Sequence, residues 1–280
     1  MSGFDMHIHT TASDGTLTVK EIITAAMEIG LEGIAITDHD TIDGLEEAEQ
    51  LGKRLKFPVI PGIELSTESD EKEIHILGFF IDYHLSWVKD KLAVLQQARV
   101  KRILKMVDKL KKLGYDVYED EIFQCAGESS VGRPHIALVL QRKGYISSVQ
   151  DAFEHLIGKG CPAYVPRFKL TPCEAISFIC DAGGVPVIAH PGLSRCDELI
   201  LPLCDYGLKG IEVFHPDHNM YDELRYLKMA KENKLIVTGG SDFHGFKGSL
   251  DKILGSKSVS SKIWDELIAL KKAPKMMTPE

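Results

Sequence analysis

The chain has 280 residues, of which 44% are hydrophobic, and it carries a formal net charge of −8 at pH 7. This composition can bury one large core, and closed α/β barrels of roughly 250 residues fold as a single domain. The acidic balance argues against binding of duplex DNA, because such binding relies on Lys and Arg. No apolar run approaches the roughly 18 residues of a membrane span, and the first ten residues lack a signal-peptide profile. We therefore expect a cytoplasmic protein without a membrane partner.

Strand and helix patterns alternate in the first third of the chain. In order, they predict a strand, a helix, a strand, a helix and two strands over 4–8, 18–29, 33–37, 44–55, 58–63 and 74–81. The last of these is either a barrel strand or a hairpin arm. The first helix begins with a Thr18-x-x-Glu21 capping box, which satisfies the first free amides of a helix. Asp40 and Asp43 precede the second helix, and we expect both to cap it.

The alternation stops between 84 and 165, where no strand pattern is convincing. Apolar residues at helical spacing predict one or two long helices within 85–114 and shorter helices over 134–142 and 149–157. We therefore expect 84–165 to be a helical insertion in a barrel made of 1–83 and 166–280. The stretch 85–114 carries nine Lys or Arg against two Asp. It is either a solvated helix face or a surface that attracts phosphate.

Alternation resumes after residue 166. A helix begins at Thr171-Pro172-x-Glu174, which combines a capping box with proline at the first helical position. Strands and a final helix are then predicted over 185–189, 210–214, 235–238 and 261–271. Alternating strands and helices favour a parallel sheet, and closing it into a barrel brings the C-terminal strand ends to one rim. An open parallel sheet is the alternative, but it would spread those ends along a line.

Histidines and carboxylates cluster at the ends of the predicted strands. His7 and His9 are two apart, so on an extended chain their side chains face the same way. A chance polar face of an edge strand would explain that pair alone, but not its recurrence at later strand ends. The candidate metal ligands are His7, His9, Asp14, His39, Glu64, His75, His190, Asp242 and His244.

Imidazole and carboxylate ligands suit Zn, Mn or Fe, and nine of them are enough for two or three ions, particularly if Glu64 bridges. Such clusters generate hydroxide near neutral pH and stabilise displacement at phosphorus, which predicts hydrolysis of phosphate esters. The six cysteines form no C-x-x-C pair, so we expect ordinary buried thiols. His84 and His155 are isolated, and we leave both out of the site.

Six motifs together resemble those of the PHP family, the polymerase and histidinol phosphatase group. They are DMHIHTTASDG, ITDHDT, PGIE, VGRPHIA, IAHPG and GSDFHG, and they run from Phe4 to Gly248. The chain is similar in particular to the stand-alone branch of nucleotide phosphoesterases, which includes 3',5'-nucleoside bisphosphate phosphatases and 5'-3' exoribonucleases. The resemblance implies a distorted (β/α)7 PHP-type barrel with a helical cap insertion and up to three divalent metal ions.

The resemblance also implies how the ligands are shared. Ion by ion, the implied sets are His7, His9, Glu64 and Asp242; then Glu64, His75 and His190; then Asp14, His39 and His244. Many relatives carry a histidine at the position of Asp14. This aspartate therefore either holds its ion weakly or donates a proton to the leaving group. Asp14 and His39 are the residues that we expect to be catalytic.

Substrate contacts are implied for the insertion and for one further strand end. Arg133 presents a planar fork that suits phosphate oxygens, and His135 could add a second donor. A salt bridge on the surface of the insertion is the alternative for Arg133. After the strand over 210–214, His215 or His218 lines the substrate pocket, or packs behind it.

The function we expect is a metal-dependent phosphoesterase acting on a small phosphorylated nucleotide. The predicted reaction converts a 3',5'-nucleoside bisphosphate into the nucleoside 5'-monophosphate and phosphate, or removes phosphate from the end of a short single-stranded RNA. Histidinol-phosphate phosphatase is an alternative with the same family and metals. Two further alternatives are a metal-dependent amidohydrolase and a non-enzymatic nucleotide-sensing module.

Overall fold

The structure is a computed structural model that describes residues 3–70, 72–127, 131–166, 170–245 and 253–275. The chain divides into two compact units, Met1–Asp90 with Lys169–Glu280, and Lys91–Phe168. We call the first the barrel unit and the second the helical unit. The expectation that 84–165 acts as a cap stays a prediction.

A seven-stranded sheet forms the barrel unit, with its strands in chain order from β1 to β7. The strands are β1 Phe4–Asp5, β2 Gly33–Ile36, β3 Val59–Ser69, β4 Lys72–Phe79, β5 Val185–Ile188, β6 Gly210–Phe214 and β7 Ile236–Gly239. The chain after β1 reaches β7 through a hydrogen bond from the Met6 amide to the Gly239 carbonyl, 3.2 Å long. A bridge between Ile8 and Phe243 continues this contact. The mixed sheet is therefore nearly closed into a barrel, which confirms the predicted fold class.

β4 pairs antiparallel with both β3 and β5, so the stretch predicted as a barrel strand or a hairpin arm is both. Only two residues separate β3 from β4, and so short a connection can join antiparallel strands but not parallel ones. The remaining adjacent pairs are parallel.

Helices connect the parallel strands of the barrel unit, one further helix precedes β5, and another follows β7. They are α1 Val19–Glu28, α2 Leu45–Leu55, α7 Pro172–Asp181, α8 Pro191–Ser194, α9 Asp197–Asp205, α10 Met220–Asn233 and α11 Ile263–Leu270. Both predicted capping boxes are present, at Thr18 and at Thr171. The capping prediction for Asp40 and Asp43 is wrong. The N-cap of α2 is Gly44, without a side-chain bond, and Asp40 Oδ1 instead accepts the Ser66 amide at 3.0 Å.

The helical unit has no strand among its described residues. It contains most of the long helix α3 Ser86–Lys112, followed by α4 Glu119–Ala126, α5 Arg133–Arg142, α6 Val149–Ala152 and a π-helical turn Phe153–Ile157. The stretch predicted as one or two long helices is therefore one helix, and α4 was not predicted. Met106, Leu110, Ile136 and Leu140 are fully buried in the core of this unit. It has a hydrophobic core of its own, separate from that of the barrel.

Buried apolar side chains form the core of the barrel unit, among them Ala35, Leu77 and Val187 from strands and Met6, which follows β1. The prediction that the cysteines are buried holds for Cys196 alone, because the other five free cysteines are partly exposed.

In the described part of the chain, no helix has the length and apolar composition that crossing a membrane requires. Cytoplasmic location stays a prediction.

Candidate metal centre

The nine predicted ligands come together at one rim of the barrel unit. His7 and His9 follow β1, His39 follows β2, His190 follows β5, and Asp242 and His244 follow β7. Glu64 and His75 differ, because they lie inside β3 and β4 rather than at a strand end. The bridge between His39 and Glu64 aligns the end of β2 with the middle of β3. Strand pairing, and not only strand ends, places these side chains.

Glu64 is the centre of the cluster, and its two carboxylate oxygens face different histidines. Oε2 lies 3.1 to 3.2 Å from His7 Nε2, His9 Nε2 and His39 Nδ1. Oε1 lies 2.8 Å from His75 Nδ1 and 3.2 Å from His190 Nε2. The carboxylate is almost completely buried. One side chain therefore connects two groups of imidazoles.

Asp242 completes the group on the Oε2 side. Its Oδ1 is 3.2 Å from His9 Nε2 and 3.5 Å from His7 Nε2. The backbone of Asp242 has φ 49°, and that of His190 has φ 27°. Left-handed backbone is unfavourable for residues with a side chain, and such strain concentrates at functional sites. Two of the predicted ligands are held in this conformation.

A looser group surrounds Asp14. Its carboxylate oxygens are 3.4 Å from His244 Nε2, 3.8 Å from His9 Nδ1 and 4.0 Å from His39 Nε2. The Asp14 side chain is 29% exposed, whereas those of His9 and Glu64 are buried. His39 thus faces Glu64 with one ring nitrogen and Asp14 with the other. It lies between two groups instead of belonging only to the third.

The cluster contains buried polar atoms that make no hydrogen bond with any described residue. They include His7 Nε2, His9 Nε2, His39 Nδ1 and Glu64 Oε2, and the three nitrogens lie 3.1 to 3.2 Å from Glu64 Oε2. An unpaired polar atom in the interior costs about 1–3 kcal/mol, so several together require a partner. Imidazole nitrogens and a carboxylate oxygen are the donors that divalent first-row metal ions prefer. The donor set therefore fits a metal centre.

Burial and neighbouring charges shift the pKa values of the histidines in this cluster in different directions. Burial opposes protonation of His9, but the neighbouring carboxylates of Asp242 and Glu64 outweigh it and raise the pKa of His9 to about 9. Burial likewise opposes protonation of His75, but the charge of Glu64 raises its pKa to about 10. The pKa of His39 is lowered to about 3, chiefly by burial. Neutral His39 keeps a lone pair available for a ligand at neutral pH.

Asp14 is ionised at neutral pH. Burial favours its neutral form, but the charges of His39 and His244 hold the pKa of its carboxyl well below the usual range. A carboxylate without its proton cannot protonate a leaving group. The lowered pKa therefore favours Asp14 as a ligand over Asp14 as a proton donor.

Two buried aspartates hold the loops that carry the ligands. Asp5 accepts the Ser241 hydroxyl at 2.6 Å and the Ser241 amide at 2.9 Å, which anchors the residue before Asp242. Asp38 accepts the Thr10 amide at 2.7 Å and the Ser13 hydroxyl at 2.6 Å, which anchors the loop before Asp14. Sequence reasoning gave neither a role. Their position beside ligand motifs was the available signal.

The structure supports the predicted substrate-binding residues less well than the predicted metal ligands. His218 uses both ring nitrogens on backbone groups, with Nδ1 2.8 Å from the Val213 carbonyl and Nε2 accepting the Gly192 amide at 3.1 Å. These bonds leave no ring nitrogen of His218 for a phosphate and favour packing behind the site. In the helical unit, Arg133 begins α5 and its guanidinium lies 5.1 Å from the centre of the Phe153 ring. His135 Nδ1 accepts the Gly132 amide at 3.0 Å.

Comparison with known proteins identifies the family. The PHP domain profile matches residues 5–157. The chain belongs to the PHP family. It is 31% identical to a phosphoribosyl 1,2-cyclic phosphate 1,2-diphosphodiesterase of Eggerthella lenta, over 89% of this chain and 97% of that protein. It is 30% identical to a 3',5'-nucleoside bisphosphate phosphatase of Chromobacterium violaceum, over 87% and 88%. A 5'-3' exoribonuclease of Salmonella typhimurium is 32% identical, over 86% and 85%.

Solved structures agree with this family assignment. A protein of Bifidobacterium adolescentis assigned as a metal-dependent phosphoesterase superposes with a TM-score of 0.87 at 31% identity, over 97% of both chains. A structure from Chromobacterium violaceum, named as an amidohydrolase and containing sulfate but no metal, has a TM-score of 0.83 at 30% identity, over 98% of both chains. This PHP protein is a metal-dependent phosphoester hydrolase, as the motifs predicted.

Proposed function

We propose that Glu64 bridges two divalent metal ions. The observation that carries this proposal is the division of its oxygens, with Oε2 toward His7 and His9 and Oε1 toward His75 and His190. If Glu64 bound only one ion, its two oxygens would not need to face two separate groups of imidazoles. The buried histidine nitrogens around Glu64 that lack a hydrogen-bond partner among the described residues support the same assignment.

The ligand sets follow from these contacts. His7, His9, Glu64 and Asp242 would hold one ion, and Glu64, His75 and His190 would hold a second. Asp14, His39 and His244 would hold a third ion more weakly, because the distances around Asp14 are longer. The donor set suits Mn, Zn or Fe. When bound, such ions supply a water nucleophile of lowered pKa and positive charge for the phosphoryl oxygens.

The substrate we propose is a small phosphorylated nucleotide. A 3',5'-nucleoside bisphosphate would yield the nucleoside 5'-monophosphate and phosphate, and a short single-stranded RNA with a terminal phosphate is the longer form of the same chemistry. The bisphosphate phosphatase and the exoribonuclease among the relatives support this substrate class. Arg133, with its planar guanidinium, is our candidate for the phosphate that stays on the product.

The test measures the products that protein loaded with Mn, Zn or Mg forms from a panel of substrates, with chromatography to detect ring-opened phosphates and released nucleotides as well as inorganic phosphate. The panel contains a 3',5'-nucleoside bisphosphate, a nucleoside 5'-monophosphate, a short 5'-phosphorylated RNA, a phosphoribosyl 1,2-cyclic phosphate and histidinol phosphate. We expect the bisphosphate or the RNA to give the highest catalytic efficiency. Preference for the cyclic phosphate or for histidinol phosphate would contradict the proposed substrate.

Two variants control the panel. Asp242→Asn removes a charge from the proposed ligand set and should lower the turnover number by at least about a hundredfold. Asp205→Asn makes the same chemical change at an exposed position of α9 and should leave turnover unchanged. Equal activity of the two variants would place the reaction elsewhere.

A further inference from the structure

Glu212 and His215 lie behind the proposed metal ligands, in β6 and just after it. Neither is a member of the ligand sets above, yet both residues are completely buried. A buried carboxylate and a buried imidazole require partners that compensate for the loss of water. Their contacts show what those partners are.

Glu212 forms hydrogen bonds with two of the proposed ligands. Its Oε1 lies 2.9 Å from His7 Nδ1, and its Oε2 accepts the His190 amide at 2.9 Å. An ionised carboxylate only accepts hydrogen bonds, so His7 Nδ1 carries the proton. When the His7 ring is neutral, its lone pair is then on Nε2, which faces Glu64 and Asp242. The second bond ties down the amide of His190, whose backbone has φ 27°.

His215 makes the complementary contact with Asp242. Its Nδ1 accepts the Asp217 amide at 3.1 Å, so the neutral ring carries its proton on Nε2. That nitrogen is buried, makes no hydrogen bond with a described residue, and lies 3.5 Å from Asp242 Oδ2. The other oxygen of Asp242, Oδ1, faces His7 and His9. The two carboxylate oxygens thus have separate partners.

The same residues could instead hold a cation of their own, because His7, Glu212 and His215 place one donor atom each within reach of a common point. The distances argue against this. His7 Nδ1 and Glu212 Oε1 are in direct hydrogen-bond contact, and Glu212 Oε2 and His215 Nδ1 are already bonded to amides. An orienting role uses every one of these contacts.

We propose that Glu212 and His215 are positioning residues, which determine the nitrogen of His7 and the oxygen of Asp242 that are presented to the metal ions. The inference rests on the proposed function, since it assigns His7 and Asp242 as ligands. Groups that orient metal ligands from behind typically change metal affinity by about 10- to 100-fold when they are removed. The same change is expected here.

The experiment measures zinc binding to the metal-stripped full-length protein by competition with a chromophoric chelator, without any substrate. Glu212→Gln cannot accept both the His7 and the His190 protons, and we expect its zinc affinity to fall by about 10- to 100-fold. His215→Leu should show a similar loss. His215→Gln restores an N–H near the position of Nε2, so its affinity should return to within about threefold of wild type.

His84→Gln is the matched control, because His84 is exposed and belongs to none of the described groups of candidate metal ligands. It should bind zinc as wild type does. Unchanged affinity in both Glu212→Gln and His215→Leu would overturn the inference, and so would equal losses in His215→Gln and His215→Leu. Loss of one bound ion without weaker binding of the others would show a separate cation site. If Glu212→Gln does not fold, the two His215 variants decide. Failure of wild type to bind zinc or manganese would instead contradict the proposed function.

Discussion

Protons and metal ions compete for the histidine nitrogens around Glu64. In the metal-free cluster, burial opposes the charged imidazoles, but the neighbouring carboxylates raise the pKa of His9 to about 9 and that of His75 to about 10. Both rings are therefore protonated at neutral pH when no metal is bound. An ion must displace these protons before it can use the nitrogens.

Metal affinity should consequently rise with pH. Because the raised pKa values favour the protonated, metal-free form at low pH, the apparent affinity for Mn should increase steadily between pH 6 and pH 9, and protons should be released on binding. Manganese titrations at several pH values, each in two buffers of different ionisation enthalpy, measure both quantities. Affinity that does not change over this range, without proton release, would contradict the assignment of His9 and His75 as ligands.

Arg133 offers a test of how the second phosphate is recognised. Arg133→Ala should lower the catalytic efficiency on a 3',5'-bisphosphate by about ten- to a hundredfold, because a charge-assisted contact of about 1.5–3 kcal/mol is lost. An aryl phosphate, which lacks the second phosphate, should be almost unaffected. Arg142→Ala, at the other end of α5, is the control. Equal losses on both substrates would mean that Arg133 supports the fold or the reacting phosphate.

Residue types and strand positions were enough to predict the ligands, but not their mutual orientation. The pattern His7-x-His9 shows that two imidazoles share a face, and it cannot show which ring nitrogen is free. That choice depends on Glu212, which lies more than 200 positions away in the chain. The contact of His39 with both Glu64 and Asp14 likewise depends on the pairing of β2 with β3.

At the scale of helices and strands, the sequence predicted the features that depend on residues close together in the chain. The capping boxes at Thr18 and Thr171 were predicted because their hydrogen bonds span only three residues. The antiparallel pairing of β4 with β5 joins strands more than 100 residues apart in the chain, so no local signal could show it. Asp40 was misassigned for the same reason, since its partner Ser66 lies on another strand.

The capping box of α1 yields a stability prediction. Thr18→Ala removes the hydroxyl that accepts the Glu21 amide at 3.3 Å, and the free energy of unfolding should fall by about 1 kcal/mol. Thr24→Ala, in the same helix, removes only a hydroxyl bonded to the Lys20 carbonyl and should change stability by less than about 0.5 kcal/mol. Urea unfolding of the two variants measures the difference. Equal destabilisation would show that the box contributes nothing specific.

At the scale of the whole molecule, charge is divided unevenly between the two units. Residues 91–168 contain 13 Lys or Arg against 8 Asp or Glu, so the remaining sequence carries a larger negative charge than the chain as a whole. The basic residues of α3 are partly engaged, because Arg102 and Lys109 donate to the Val165 and Tyr164 carbonyls. The excess of carboxylates in the barrel unit is consistent with a site that attracts cations.

The central claim is that Glu64 joins at least two metal ions, and elemental analysis of the purified protein tests it most directly. Wild type should contain two to three equivalents of first-row transition metal per chain. Glu64→Gln should lose more than one equivalent, since it removes the oxygen pair shared by two ligand sets, whereas Glu68→Gln, on the same strand, should match wild type. At most one equivalent in wild type, or unchanged metal content in Glu64→Gln, would contradict the account.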